Sequence, residues 1–366
     1  MNIPFVDLKA QYATIKKEID SAIFEVVESA GFIGGKKVTA FEENFASYVG
    51  AKYGVGTSSG TSALHLALKA LGIGPGDEVI TCCNTFIATT EAITHTGATP
   101  VIVDVEEKTL TIDPNLIEAA ITPRTKAVIP VHLFGQPADM DAVRDIALRH
   151  SLKVVTDAAQ AHGAMIHGDR RAILGDITCY SFYPGKNLGA YGDAGMLVTD
   201  EKDVADVVAI LGNHGRYGKH THKVEGYNYR LDAIQAAVLD VKLRYLDEWI
   251  ERRRSRAKRY TEAFANGPVQ PVGEVEERYH VYHLYVIRTA KRDELAAALG
   301  ERGIATGIHY PIPIHLLDAY RHLGLPKGTF PVGERAAEEM LSLPIYAELT
   351  DEMVDTVVSA VGEILS

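Results

Sequence analysis

The chain has little cysteine, no long apolar run, no low-complexity block and no excess of positive charge, and each shortage excludes something. Its three cysteines are an adjacent pair, Cys82 and Cys83, and a solitary Cys179. That count and placement make no disulfide framework, and cytoplasmic residence is the reading that fits. No apolar run approaches the roughly 18 residues that span a bilayer. The opening MNIPFVDLKAQY is charged early and lacks an apolar h-region, so neither a membrane partner nor a signal peptide is expected. A formal net charge of −11 argues against a nucleic-acid binder, which presents a basic face. The densest basic run, Glu251-Arg252-Arg253-Arg254, falls in an amphipathic helical stretch and reads as a solvated helix face.

What is present is ample for a globular protein with a substantial core. The 366 residues, 46% of them hydrophobic, suit one large domain and a smaller one. Up to about residue 200, short β-branched runs (Glu78-Val79-Ile80, Val101-Ile102-Val103, Ala127-Val128-Ile129, Val154-Val155) alternate with helical patterns such as Ser62 to Leu71 and Asp139 to Arg149. This alternation predicts an α/β fold with a mostly parallel central sheet and helices on both faces. A long helical pattern from about Asp232 to Phe264 leads into a second unit. There Tyr282 to Ile287 reads as a strand, and Asp293 to Arg302 and Glu334 to Leu341 as helices. The expected division is a large domain at 1–246 and a small α+β domain at 247–366.

Ligands of such sheets bind beyond the carboxyl ends of the strands, so polar residues just after the apolar runs are the ones to weigh. Thr57-Ser58-Ser59-Gly60-Thr61-Ser62 precedes a helix. Small residues and hydroxyls at a helix N-terminus can cup a phosphate, although Ser and Thr also serve as ordinary caps. Asp157 closes the Val154-Val155 run, where a carboxylate can pair with a pyridine nitrogen or merely cap the next helix. Lys186 lies in Tyr180-Ser181-Phe182-Tyr183-Pro184-Gly185-Lys186-Asn187-Leu188-Gly189, followed by Gly192-Asp193-Ala194-Gly195. Partial burial would lower its pKa, as Schiff-base chemistry requires, and the glycines would leave room for a flat ring. A lone loop lysine is ordinarily a surface charge. Here, however, Asp157 and Lys186 stand 29 residues apart, one strand–helix–strand excursion, so both reach one sheet edge with the phosphate cup. Phe86 follows another strand and could stack on the ring or belong to the core.

These residues resemble the DegT/DnrJ/EryC1/StrS sugar aminotransferases within the fold-type I pyridoxal phosphate (PLP) enzymes. The resemblance runs from Pro4-Phe5-Val6-Asp7-Leu8 to Leu343-Pro344. It includes Gly60-Thr61-Ser62-Ala63-Leu64, Pro75-Gly76-Asp77-Glu78-Val79-Ile80, His132-Leu133-Phe134-Gly135-Gln136, Asp157-Ala158-Ala159-Gln160, the Lys186 loop and Gly226-Tyr227-Asn228-Tyr229-Arg230-Leu231-Asp232. It implies a PLP cofactor joined to Lys186, which also shuttles a proton. Asp157 would lie at the pyridine nitrogen, Gln160 at the ring-oxygen edge and Phe86 on a ring face, with Gly60, Thr61 and Ser181 at the phosphate. It further implies a homodimer with shared sites, in which Asn228 of the partner subunit completes the phosphate site and Arg230 meets the substrate diphosphate. The substrates implied are a nucleotide-linked keto-sugar and L-glutamate.

Gly307-Ile308-His309-Tyr310-Pro311-Ile312-Pro313-Ile314-His315 resembles the loop of 3-aminotransferases, which sets His309 and Tyr310 in the sugar pocket and the expected position at C-3. Its two prolines stiffen it, and it could equally be a rigid interdomain turn. The alternative is a 4-aminotransferase, with which Asn213-His214-Gly215-Arg216 and Gly226-Tyr227-Asn228-Tyr229-Arg230 are compatible. A same-family dehydratase would carry histidine where Lys186 stands. A regulatory protein on this scaffold would need a DNA-binding module, and no helix-turn-helix precedes the domain. His162, His309 and His315 lack the spacing of a metal site, so no metal is expected.

Overall fold

The computed structural model describes residues 2–218 and 220–366. Two helices open the chain, α1 (Leu8–Ser29) and α2 (Lys36–Val49). The Asp7 carboxylate caps α1 by accepting from Ala10 N, and Ala30 and Gly50 end the two helices in left-handed backbone.

The alternation then runs β1 (Tyr53–Thr57), α3 (Gly60–Ala70), β2 (Glu78–Cys82), α4 (Ile87–His95), β3 (Thr99–Val103), α5 (Pro114–Ile117), β4 (Thr125–Ile129), α6 (Met140–Arg149) and β5 (Lys153–Asp157). After it come β6 (Met165–Ile166), β7 (Ile177–Ser181), β8 (Gly195–Thr199), α7 (Lys202–Gly212), β9 (Arg216–Tyr217) and β10 (Thr221–His222). Among the described residues the main sheet has seven strands in the order β1-β8-β7-β5-β4-β2-β3. The pairings β2–β3, β2–β4, β4–β5 and β5–β7 are parallel, and β8 runs antiparallel to both β7 and β1. The expected mostly parallel sheet is therefore observed. Because β8 opposes both neighbours, β1 points the same way as β7. The carboxyl ends of β1, β2, β5 and β7 thus share one edge. One expectation needs correction: no helix spans the excursion from Asp157 to Lys186. The link between β5 and β7 holds only β6 and a 3-10 turn at Arg170–Ile173, yet β5 and β7 pair directly, Asp157 opposite Cys179, so the shared edge survives.

The long helical pattern is two helices, α8 (Ala233–Leu243) and α9 (Leu246–Phe264), broken at Arg244-Tyr245. At that break Tyr245 bonds Glu18 on α1 and stacks on Trp249. Beyond lie β11 (Gln270–Pro271), β12 (Arg278–Tyr279), which pairs with β6, β13 (Tyr285–Arg288), α10 (Arg292–Glu301), α11 (Pro331–Glu339), β14 (Met340–Leu343) and α12 (Asp351–Leu365). The strand expected from Tyr282 starts only at Tyr285, because Tyr282 has a φ of 43° and stacks on His280. The helix expected over Glu334 to Leu341 ends at Glu339; Met340 and Leu341 pair with β13 instead. Strands β11, β13 and β14 form a second, antiparallel sheet. A separate core of Ala257, Tyr260, Phe264, Ile287, Leu295, Leu341 and Val357 backs it, and Ile3 from the other end of the chain joins that core.

Candidate active site

A cavity of about 490 Å³ opens at the shared strand edge. Gly60, Thr61, Phe86, Asp157, Gln160, Ser181, Lys186, His309 and Tyr310 all line it. A depression of about 570 Å³ among Arg302, Asp355 and Glu363 contains none of the residues singled out from the sequence.

The helix N-terminus resolves the question of cap against cup. Ser59 caps α3 by accepting from Ser62 N (3.1 Å), and the Ser62 hydroxyl accepts from Ser59 N (2.9 Å). Those hydroxyls are engaged. The next two N–H groups, of Gly60 and Thr61, have no hydrogen-bond partner among the described residues and stand at the positive end of the helix dipole. Ser181, at the end of β7, presses on Gly60: a Cβ there would sit 2.7 Å from the Ser181 Cβ, so only glycine brings helix and strand this close.

Asp157 ends β5 and is 5% exposed. One carboxylate oxygen accepts from Ala159 N (3.0 Å) and the other from the Thr89 hydroxyl (2.8 Å), itself bonded to Thr85. Burial raises its pKa; the Ala159 N–H, the Thr89 hydroxyl and the Lys186 charge oppose the rise. Among the described residues no cation lies within ion-pair distance of it.

Lys186 follows β7 in a loop that closes on itself, with Lys186 N donating to Tyr183 O and Ala190 N to Phe182 O, both 2.8 Å. Burial pulls its ammonium down to about 8, with the Asp157 charge resisting. The glycines of this region divide: Gly185 lines the cavity, where a Cβ would meet nothing nearer than the Tyr183 ring at 3.8 Å, so it leaves the room expected, whereas Gly189 and Gly195 do not. A Cβ on Gly189 would strike Pro184 O at 2.2 Å and one on Gly195 would strike the Ser59 carbonyl at 2.3 Å, so they serve the packing of chain on chain. The buried Lys242 of α8 pins the loop by donating to Gly189 O (2.5 Å).

Gln160 is held by Phe134 N donating to its Oε1 (2.6 Å), and its Nε2 donates to the Tyr310 hydroxyl (3.3 Å). Phe86 caps α4, is exposed on the cavity, and has its ring 5.2 Å from that of Tyr310. His309 bonds Ser342 of β14 (2.9 Å) and stacks on Phe5, and burial pulls its pKa down to about 4. The 307–315 loop thus joins the small sheet to the cavity and is more than an interdomain turn. Of the other histidines, His162 lies among the rings of Phe45, Tyr180 and Phe182, and His315 bonds Glu334.

Asn228 and Arg230 are absent from this cavity's wall. Asn228 is exposed and bridges to Asn213; Arg230 donates to the Asn213 side chain (3.0 Å). Two titratable wall residues were missed in the sequence, Arg253 and His283. The solvated-face reading of the arginine run holds for Arg252, which is exposed and paired with Glu248, but is wrong for Arg253, which is 5% exposed. The signal was there: the buried positions of α9 are Leu246, Trp249, Ile250, Arg253, Ala257, Tyr260 and Phe264, so Arg253 occupies the apolar stripe. Nothing local marks His283.

The residues fit PLP. The free N–H groups of Gly60 and Thr61 suit its phosphate, the buried Asp157 carboxylate without a cation suits its pyridinium, and an amine of lowered pKa suits its aldehyde. Fold and site together define a PLP-dependent sugar aminotransferase. The chain belongs to the DegT/DnrJ/EryC1/StrS aminotransferase family, whose model matches residues 13–362. It is 49% identical to a "pleiotropic regulatory protein" of Geobacillus stearothermophilus, over 99% of this chain and 98% of that one. It is 46% identical to the dTDP-3-amino-3,4,6-trideoxy-alpha-D-glucose transaminase of Streptomyces venezuelae, over 99% and 96%. The solved structure of Streptomyces venezuelae DesV superposes with a TM-score of 0.98 at 45% identity, covering 100% of this chain and 99% of that one.

Proposed function

We propose that the protein transfers the amino group of L-glutamate to the C-3 keto group of a nucleotide-linked sugar, a dTDP- or UDP-linked 6-deoxyhexose or a related sugar. The observation that carries this reading is the convergence of Lys186, Asp157 and the Gly60–Thr61 N–H groups on one cavity. For C-3, the support is the His309–Tyr310 loop on the cavity wall and the 3-amino product in the name of the Streptomyces venezuelae relative.

Bound PLP supplies the electron sink for the amino-bearing carbon. The chain's own groups do the rest. Gly60 and Thr61 N–H groups and the Ser181 hydroxyl hold the phosphate. Asp157, fixed by Ala159 N and Thr89, holds a proton on the pyridine nitrogen. Gln160 and Phe86, both on the cavity wall, would hold the ring. With its pKa drawn to about 8, Lys186 Nζ binds a proton loosely enough to take and return one near neutral pH. His309 and Tyr310 line the sugar end. Asn228 and Arg230, which lie off this wall, reach the phosphate and the substrate diphosphate of the partner subunit in a homodimer, and the enzyme works in the cytoplasm.

Holoenzyme given glutamate and, separately, 3-keto and 4-keto dTDP- and UDP-sugars should aminate the 3-keto substrate, with product NMR locating the amine at C-3. An amine at C-4 overturns the regiochemistry, and turnover by Lys186→Ala overturns the mechanism. In the same assay, mixing Lys186→Ala with Asn228→Ala chains should restore part of the activity that each lacks alone; no rescue counts against shared sites.

A further inference from the structure

Arg253 is a buried cation that the proposed chemistry has not yet used. It sits on α9 in the apolar stripe, 5% exposed, and on the wall of the cavity that holds Lys186. Its hydrogen bonds all run from one nitrogen: Nη1 donates to the carbonyls of Tyr282 (3.2 Å), His283 (3.5 Å) and Ile345 (2.8 Å). Among the described residues neither Nε nor Nη2 has a hydrogen-bond partner, and neither is among the walled-in orphan atoms of the molecule, so both meet open space. The three carbonyls fix the plane of the guanidinium and leave its other edge facing the cavity. Glu348 is the acidic group whose charge acts on it, and no hydrogen bond joins the two. Burial lowers the pKa of Arg253 to about 10, so it stays cationic near neutral pH. A desolvated, immobilised guanidinium with a free edge matches a carboxylate in two-pronged geometry. Left without an anion, a buried cation of this kind is a cost to the fold.

We propose that Arg253 is the carboxylate anchor for the amino donor, holding a carboxylate of L-glutamate while the donor's amine meets the reacting end at Lys186. This rests on the aminotransferase reading above. It assigns the donor to the part of the cavity wall formed by Arg253, His283 and Ile345, and it predicts selection for amino acids over simple amines.

The test uses holoenzyme and follows loss of the bound cofactor's visible absorption on adding the donor alone, with no sugar present. Donors are L-glutamate, L-isoglutamine (α-carboxamide) and L-glutamine (γ-carboxamide). Glutarate, which cannot react, serves as a competitive binding probe. Wild type should prefer glutamate over at least one amide by about 100-fold, the scale of a charge-assisted pair. Arg253→Met should lose that preference, and glutarate affinity should fall by a similar factor. The amide whose discrimination disappears identifies which carboxylate is held. Should Arg253→Met not fold, Arg253→Lys, which keeps the charge without the fork, should lower both quantities about tenfold. A purely structural role would slow all three donors alike and leave the preference intact, which overturns the anchor alone. Wild type that reacts with none of the three donors overturns the donor reading and the anchor together.

Discussion

The two walls of the cavity are built differently. The inner wall comes from the sheet edge: Gly60, Thr61, Asp157, Ser181 and Lys186 each lie at or within a few residues of a strand's end, and the ladder β1-β8-β7-β5 sets their spacing. The outer wall comes from scattered places, with Arg253 on α9, His283 before β13, His309 and Tyr310 in a loop and Ile345 after β14. It is held by side-chain hydrogen bonds, from Arg253 to three backbone carbonyls and between His309 and the Ser342 hydroxyl. Topology positions the inner wall and packing positions the outer one. The inner wall should therefore carry the large catalytic effects, and the outer wall selectivity.

The largest expected effect that would break this contrast is at Asp157. Asp157→Asn keeps an oxygen to accept from Ala159 N, its amide NH2 can donate to the Thr89 hydroxyl, which then turns its own proton to Thr85, and a buried charge is removed, so the protein should fold with equal or better stability. The electrostatic hold on the cofactor nitrogen goes with it. A fall in kcat of about 10²- to 10³-fold is expected, the scale of a preorganised charge contact. A loss under about tenfold in steady-state assays would mean that the inner wall does not dominate the chemistry.

The same contrast explains what could be read in advance. Every inner-wall residue stands in a contiguous motif just after an apolar run, so a one-dimensional pattern was enough to find Asp157, Lys186 and the Gly60 cup. The alternation likewise disclosed the parallel sheet. The outer wall depends on contacts far apart in sequence, such as Tyr310 to Gln160, which no window contains. Arg253 was misread because a charge in a run of charges resembles solvent-facing surface, although its stripe position marked it as buried. Helix ends at Tyr245 and Glu339 were missed because side-chain contacts and pairing with β13 decided them, overriding helical propensity.

A middle-sized effect concerns a neutral histidine behind each wall. His162 packs among aromatic rings behind the inner wall, and His280 stacks on Tyr282 beside the outer one. Burial lowers each from 6.5 to about 3. Between those values the unfolded chain binds the proton and the folded chain does not. Stability is therefore full above pH 6.5 and declines as pH falls through the window, by about 1.4 kcal/mol per pH unit for each histidine. Denaturant unfolding of His162→Phe between pH 6.5 and 4 should give a slope shallower than wild type by about one such increment. An unchanged slope would mean that His162 is protonated in the fold.

The smallest effect sharpens the boundary between the walls. The Tyr310 hydroxyl accepts from Gln160 Nε2 at 3.3 Å, a long contact, and Gln160 keeps its shorter bond from Phe134 N whether or not the hydroxyl is there. Losing one weak neutral hydrogen bond costs about 0.5–1 kcal/mol. Tyr310→Phe should therefore raise KM for the keto-sugar only a few-fold, since the ring still packs 5.2 Å from Phe86, and should leave the glutamate half-reaction untouched. A drop of about 100-fold in kcat for either half-reaction would place the hydroxyl in proton transfer. Tyr310 would then belong to the catalytic wall despite its origin in a loop, and strand-end position would no longer mark off the chemistry from the selectivity.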